Sequence, residues 1–296
     1  MKHEIQALLA ALEAEGYVAE PATATAVYLS REMRKPLLVE GDAGVGKTEL
    51  AKVLAQLLET ELIRLQCYEG LDAQTALYEW DYARQLLRLR LSEGRGEDPR
   101  EIEARIFGRE YLLERPLLQA ITHAGKPAVL LIDEIDRADD GFEAFLLELL
   151  SDFQVTIPEL GTIRAEHRPH VVLTSNRTRE LGDALRRRCL YLYMEHPSLE
   201  KEVRIIRTRW PEAQERLARE VGRFLKALRT RPLVKSPGVA ETLDWTQALV
   251  TLQQGSLEPD VVTQTLGCLL KDRHDLEMLT PSEVASLVAL AREEPA

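Results

Sequence analysis

The chain has 296 residues, of which 45% are apolar and 29% charged, with a formal net charge of −11. That length supports one large or two modest domains and a sizeable core, so folding needs no staple of disulfides or metal. The acidic balance argues against a surface that grips nucleic acid without sequence preference, although a basic pore inside an acidic shell would escape this argument.

The first stretch, "MKHEIQALLAALEAEG", has apolar residues at helical spacing, interrupted by Glu4, Glu13 and Glu15. It reads as neither a signal peptide nor a membrane span, and no other stretch approaches the run of apolar residues that a span requires. Two helices with a turn between Gly16 and Pro21 are expected over residues 1–35. Apolar, strand-like runs follow at 36–40, 61–66, 128–133, 170–175 and 190–194, most of them separated by helix-period segments. Continuous apolar strands alternating with helices predict an α/β fold, a parallel sheet covered on both faces. From Pro197 the strand signal stops, and helical segments punctuated by Pro211, Pro232, Pro237, Pro259 and Pro281 take over. The expected organisation is an α/β domain over 1–196 and an all-helical domain over 197–296. The most loop-like internal piece is "LSEGRGEDPREIEAR", residues 91–105. Cys67, Cys189 and Cys268 form no CxxC pair; the first two adjoin predicted strands and read as small core residues. A reduced, cytoplasmic setting is expected.

"PLLVEGDAGVGKTELAKVLA" (36–55) contains Gly41, Gly46, Lys47 and Thr48 in the spacing G-x-x-x-x-G-K-[ST], between a predicted strand and a predicted helix. Glycines let the backbone N–H groups of Gly41, Asp42, Ala43, Gly44, Val45 and Gly46 curl around phosphates. Lys47 reaches the β- and γ-phosphates, the Thr48 hydroxyl suits Mg²⁺, and the helix N-terminus at Thr48 and Glu49 adds favourable partial charge. The expected ligands are ATP and Mg²⁺.

"AVLLIDEIDRADD" places Asp133 and Glu134 at the end of an apolar strand. At the carboxyl edge of a parallel sheet such acids face the ligand crevice. Asp133 is expected on the Mg²⁺ side, and Glu134 is placed to polarise an attacking water. An adjacent Asp-Glu pair argues for hydrolysis of the nucleotide over its transfer to a small molecule. On the next strand, "HVVLTSNRTREL" ends at Thr174, Ser175 and Asn176, and Asn176 is a candidate to orient that water. "GDALRRRCLYLYM" then presents Arg186, Arg187 and Arg188 at the end of a short helix. Three arginines exceed what compensation of a helix dipole requires. One of them supplied to a neighbour's γ-phosphate would accelerate cleavage by about 10³–10⁵.

With these residues the chain resembles the AAA+ ATPases, and within them the MoxR family and its CoxD-like branch. The resemblance runs through "GDAGVGKTELAK", "LLIDEIDRADDGFEAFLLELLSDFQVTIPELG" and "VVLTSNRTRELGDALRRRCLYLYMEHP", and "LQCYEGLDAQTALYEWDYARQLL" (65–87) carries the likeness to the branch. It implies a five-stranded P-loop core with a C-terminal helical lid, and a homo-oligomeric, usually hexameric, ring. It casts Asn176 as sensor 1 and Arg187 with Arg188 as arginine-finger candidates, Arg186 fitting less well. It also implies an insertion in the second helix over about 68–106, a hairpin before sensor 1 over about 153–165, and adenine contacts near Tyr17 and Val18. Such proteins act with a partner carrying a von Willebrand factor A (VWA) domain and remodel or mature a client; for this branch the client is a metalloenzyme, a molybdenum hydroxylase of the carbon monoxide dehydrogenase type. One departure stands out: Gly238, in "KSPGVAETLDW", falls where the family carries a lid arginine as sensor 2, with Lys235 and Glu241 nearby.

Two questions stay open on sequence alone. Tyr78, Trp80 and Tyr82 either project from the insertion towards a client or pack it onto the core, with Arg84, Arg88 and Arg90 as a solvated face. The nucleotide either drives mechanical work in a ring or gates a binding switch; a DNA-acting relative of the McrB-like GTPases is a third reading, which the acidic charge opposes.

Overall fold

The computed structural model describes residues 2–93, 102 and 105–293. In chain order its strands are β1 (Leu37–Gly41), β2 (Leu62–Gln66), β3 (Tyr78–Trp80), β4 (Leu112–Glu114), β5 (Val129–Asp133), β6 (Gln154–Ile157), β7 (Gly161–Arg164), β8 (His170–Ser175) and β9 (Leu190–Met194). The five apolar runs become one five-stranded sheet in the order β2-β5-β8-β1-β9. Every residue of β1 and β5 is buried, as expected of strands covered on both faces. The parallel registers Gln66↔Asp133, Ile132↔Leu173 and Glu40↔Ser175 bring the polar strand ends to one edge.

The chain divides into two compact units. One comprises Ala22–Glu40 and Ala51–Leu192. Its core gathers Leu38, Leu130, Ile132 and Leu173 with Leu118 of helix Pro116–Thr122 and Leu146 of helix Asp140–Asp152. Asp139 caps the latter helix by accepting the Phe142 N–H at 2.8 Å. The β6–β7 hairpin follows, paired Val155↔Ile163.

The insertion has its own small sheet. Asp72 caps the helix Ala73–Leu77, β3 pairs antiparallel with β4 (Trp80↔Leu112), and a helix runs over Tyr82–Glu93. Trp80 is buried, edge-on to Phe107 at 5.5 Å and to Tyr78 at 6.0 Å. The structure therefore decides the question for Trp80 in favour of packing, whereas Tyr82 is 64% exposed. Most of the stretch read as loop-like, together with that part of the insertion, lies outside the described residues.

The other unit comprises Met1–Pro21, Gly41–Leu50 and Tyr193–Ala296. Helices Leu199–Arg209, Glu215–Leu228, Val239–Thr251, Pro259–Leu269 and Pro281–Arg292 surround Phe224 and Trp245, whose rings lie 5.1 Å apart. A short helix, Arg273–Met278, was not anticipated. It supplies the fully buried Asp275, whose carboxylate accepts the N–H groups of Val234 (2.8 Å) and Lys235 (3.0 Å) and so pins the segment leading to Gly238. Among the described residues no helix is long and apolar enough to cross a membrane.

Candidate functional site

The phosphate loop leaves β1 at Gly41. A Cβ there would stand 2.2 Å from the Met194 carbonyl oxygen, so the loop can start its turn only from glycine. Lys47 opens the helix Lys47–Leu57 and is buried. Its ammonium donates to the carbonyls of Gly41 (2.7 Å) and Asp42 (2.6 Å), which supplies the partners that a buried charge requires. Asp42, Ala43 and Gly44 form the exposed crest of the loop, Val45, Gly46 and Thr48 are half-buried, and Glu49 is exposed on the first helical turn. A Cβ on Gly46 would lie 3.9 Å from the Tyr17 ring, so Tyr17 flanks the loop. Burial raises the Tyr17 phenol above its ordinary value, and Glu49 and Glu20 add to the shift. His196 Nε2 lies 3.5 Å from Asp42 Oδ2; burial and then Arg229 hold its imidazole below the ordinary range.

In the other unit the acids stand at the carboxyl end of β5. Asp133 is 3% exposed. One of its oxygens accepts the Thr174 hydroxyl at 2.5 Å, and the other meets Arg64 Nη2 at 2.6 Å. Thr174 also accepts the Glu134 N–H at 2.9 Å, so one hydroxyl orders both acids. Glu134 sits in the left-handed region (φ 55, ψ 50), a conformation that a non-glycine residue holds at some cost and that recurs at functional sites. Its carboxylate meets Arg137 Nε at 2.7 Å.

Asp136 escaped the sequence reading and organises the neighbouring strand tip. It is buried and accepts the N–H of Asn176 (3.2 Å), the N–H of Thr178 (2.8 Å) and the Thr178 hydroxyl (2.7 Å). Burial pushes its pKa up, but these hydrogen bonds prevail and hold it below the usual aspartate value. Asn176 is thereby brought to Asp133 and Glu134 through Asp136 and Thr174. Arg64 escaped too, because an arginine within a strand reads from sequence as a solvent-facing residue. Cys67, whose N–H donates to the Asp133 carbonyl at 2.8 Å, is buried beside these acids; burial first, then their charges, push its thiol up to about 12.

The helix Asp183–Arg188 sorts its three arginines. Arg186 Nη2 lies 3.7 Å from the buried carboxylate of Glu40, which also accepts the Tyr191 hydroxyl at 2.9 Å. Arg188 donates to the Leu147 carbonyl at 2.6 Å. Arg187 is exposed and has no partner among the described residues.

The residues fit the expected ligands. A lysine held by carbonyls of its own loop, at the N-terminus of a helix, is a cradle for phosphate. The Thr48 hydroxyl is a hard oxygen donor of the kind Mg²⁺ takes beside substrate phosphates, and in the other unit the Asp133 carboxylate is a donor of the same kind. No cluster of three or more His, Cys, Asp or Glu side chains suited to a metal occurs among the described residues.

The family described as AAA domain (dynein-related subfamily) matches residues 36–189, more than half of the chain. No curated protein matches it. Among solved structures, the RuvB Holliday junction branch migration motor of Thermotoga maritima is 17% identical, covering 86% of this chain and 68% of that one at a TM-score of 0.47. A single-residue variant of the same RuvB is 16% identical, covering 93% and 71% at a TM-score of 0.49.

Proposed function

We propose that this chain, which belongs to the dynein-related subfamily of AAA domains, is a Mg²⁺-dependent ATPase whose subunits share their active sites in a ring. The observation that carries hydrolysis is Glu134: a carboxylate at the end of a buried strand, in a left-handed backbone conformation, with its amide held by Thr174. A carboxylate held at that strand tip is placed to take a proton from an attacking water.

Lys47 and the loop amides from Gly41 to Thr48, with Glu49 beside them, would hold the triphosphate, and Tyr17 and Val18 would flank the adenine. Thr48 and Asp133 would hold Mg²⁺, which when bound offsets charge on the phosphates. Glu134 takes the proton of the attacking water, and Asn176, steadied by Asp136, orients that water. Arg64 and Arg137 neutralise the two acids until substrate arrives. Arg187 is the residue offered to the neighbouring subunit, because Arg186 and Arg188 are engaged within their own chain. Arg188 then serves to anchor the helix that presents Arg187.

The resemblance to the MoxR family supports the finer reading: a core over 1–196, a lid over 197–296, a hexameric ring in the cytoplasm, a VWA-domain partner and a protein client. For the CoxD-like branch that client is a molybdenum hydroxylase of the carbon monoxide dehydrogenase type. Glu134→Gln tests the chemistry. It should bind ATP as the wild type does and lose about 10²–10⁴ in turnover; turnover within threefold of wild type would remove Glu134 from the mechanism.

A further inference from the structure

Gly238 stands where the resemblance leads one to expect a lid arginine, and the structure shows what occupies that place. The N-terminus of helix Val239–Thr251 lies directly on the phosphate loop. The Val239 N–H donates to the Gly44 carbonyl at 2.8 Å. A Cβ at Gly238 would stand 2.7 Å from Gly44 Cα and 2.9 Å from both Gly44 C and O. All three are backbone atoms and cannot rotate away, so no side chain fits at 238 while the loop and the helix touch.

The surroundings hold this contact rigidly. The Pro237 carbonyl accepts Arg229 Nε at 2.9 Å. The Gly238 N–H donates to Glu241 Oε2 at 2.9 Å, and the Gly238 carbonyl accepts the Thr242 N–H at 3.1 Å. Arg229 forks onto Glu202 at 2.8 and 2.9 Å, and the Thr242 hydroxyl lies 3.0 Å from the same carboxylate. Glu202 is 1% exposed. A buried, doubly bonded Arg–carboxylate pair fixes geometry more than it adds net stability. Here it fixes the residues on either side of the Val239 N–H.

We infer that a main-chain latch, Val239 N–H to Gly44 carbonyl, does in this protein the positioning that a lid arginine would otherwise do. Its effect follows from peptide geometry. The peptide joining Gly44 to Val45 is planar and trans, so its carbonyl and its N–H point to opposite sides. Holding the Gly44 carbonyl on the helix fixes the Val45 N–H away from the helix, as a pre-aimed phosphate donor. Val239 is thus a positioning residue: it touches the loop and acts on the nucleotide through it. This inference rests on the ATPase reading above.

The discriminating variant is Val239→Pro. Proline lacks the N–H, is well tolerated at the first position of a helix, and asks its predecessor to be extended, which Gly238 already is (φ −91, ψ −168). Gly238→Ala is the companion, which forces the contact apart. Binding of a fluorescent, non-hydrolysable ATP analogue with Mg²⁺ is measured on the full chain, with thermal unfolding in its absence. Wild type binds and Lys47→Ala does not, if the parent reading is right. Val239→Pro and Gly238→Ala should each bind about tenfold more weakly because the loop is no longer held in its binding shape, with Val239→Pro unfolding within about 4 °C of wild type, the most that one lost intramolecular hydrogen bond accounts for in a chain of this size. If wild type and Lys47→Ala behave as stated but Val239→Pro binds as tightly as wild type, the latch is refuted while the ATPase reading stands, whatever Gly238→Ala does. If wild type binds no nucleotide, the parent reading falls and takes the latch with it.

Discussion

Asp136 offers the sharpest test of how the site is held. Replacing it with alanine removes the acceptor of three hydrogen bonds, two from backbone N–H groups and one from a hydroxyl. Hydrogen bonds to a charged acceptor contribute about 1.5–3 kcal/mol each. The Asn176 bond is long and Thr178 is solvent-exposed, so water replaces part of the loss. A destabilisation of about 3 kcal/mol is therefore expected for Asp136→Ala, and about 1 kcal/mol for Asp136→Asn, which keeps one acceptor oxygen. Urea unfolding at pH 7 with an unchanged m-value reads the difference. The pH dependence is a second check. The folded pKa of Asp136 lies below its unfolded value of 3.8, so its stabilisation is fully present above that pH and fades as pH falls through the folded value. The gap between wild type and Asp136→Asn should close correspondingly in acid. Turnover should fall in both variants with KM little changed, because Asn176 loses its support. An Asp136→Ala variant within 0.5 kcal/mol of wild type (a change typical of a neutral surface site) would refute the assignment.

Trp80→Ala should destabilise the unit by about 3–5 kcal/mol, the usual loss for a buried aromatic, as read by chemical denaturation; Tyr82→Ala, on an exposed residue, should cost about 0.5 kcal/mol or less. Equal effects would contradict the packing described for the insertion. Burial depresses the pKa of both His170 (with Arg31 adding) and His196 (with Arg229 adding). Both are therefore neutral in the folded state at a pH where the unfolded chain is protonated, so stability should be flat above pH 6.5 and fall as pH drops below it. Urea midpoints at successive pH values should show this slope for wild type and a shallower one for His170→Asn with His196→Asn; identical slopes would contradict it.

The sheet was legible in the sequence because its strands are buried on both faces. Continuous apolar runs such as "AVLLID" have no other economical place in a protein. The phosphate loop was legible because its chemistry needs glycines and a lysine at fixed spacing. Other features depended on distances the chain does not announce. β3 and β4 are three-residue strands joined across a long insertion, with Tyr78 opposite Glu114, and no local pattern marks such a pair. Asp136 shows no role in its local sequence, because the partner that reveals it, Thr178, folds back onto it from another strand tip. Trp80 looked equally suited to surface or core, because an aromatic cluster has the same composition in either place. Gly238 was visible as a departure from family pattern; its reason is the backbone of Gly44, 194 residues earlier in a count that no periodicity reaches.

On the proposed function, Arg187 completes hydrolysis between subunits. Specific ATPase activity measured against protein concentration, with native mass in the same buffer, tests it for wild type, Arg187→Ala and Arg188→Ala. Activity per wild-type subunit should rise as oligomers form. Arg187→Ala should assemble and lose about a thousandfold or more in turnover, the size of effect seen for an arginine supplied in trans. Arg188→Ala should lose less, because its part is to hold the helix on Leu147. Turnover that is flat with concentration and indifferent to Arg187 would contradict the account and leave a monomeric nucleotide switch as the better description.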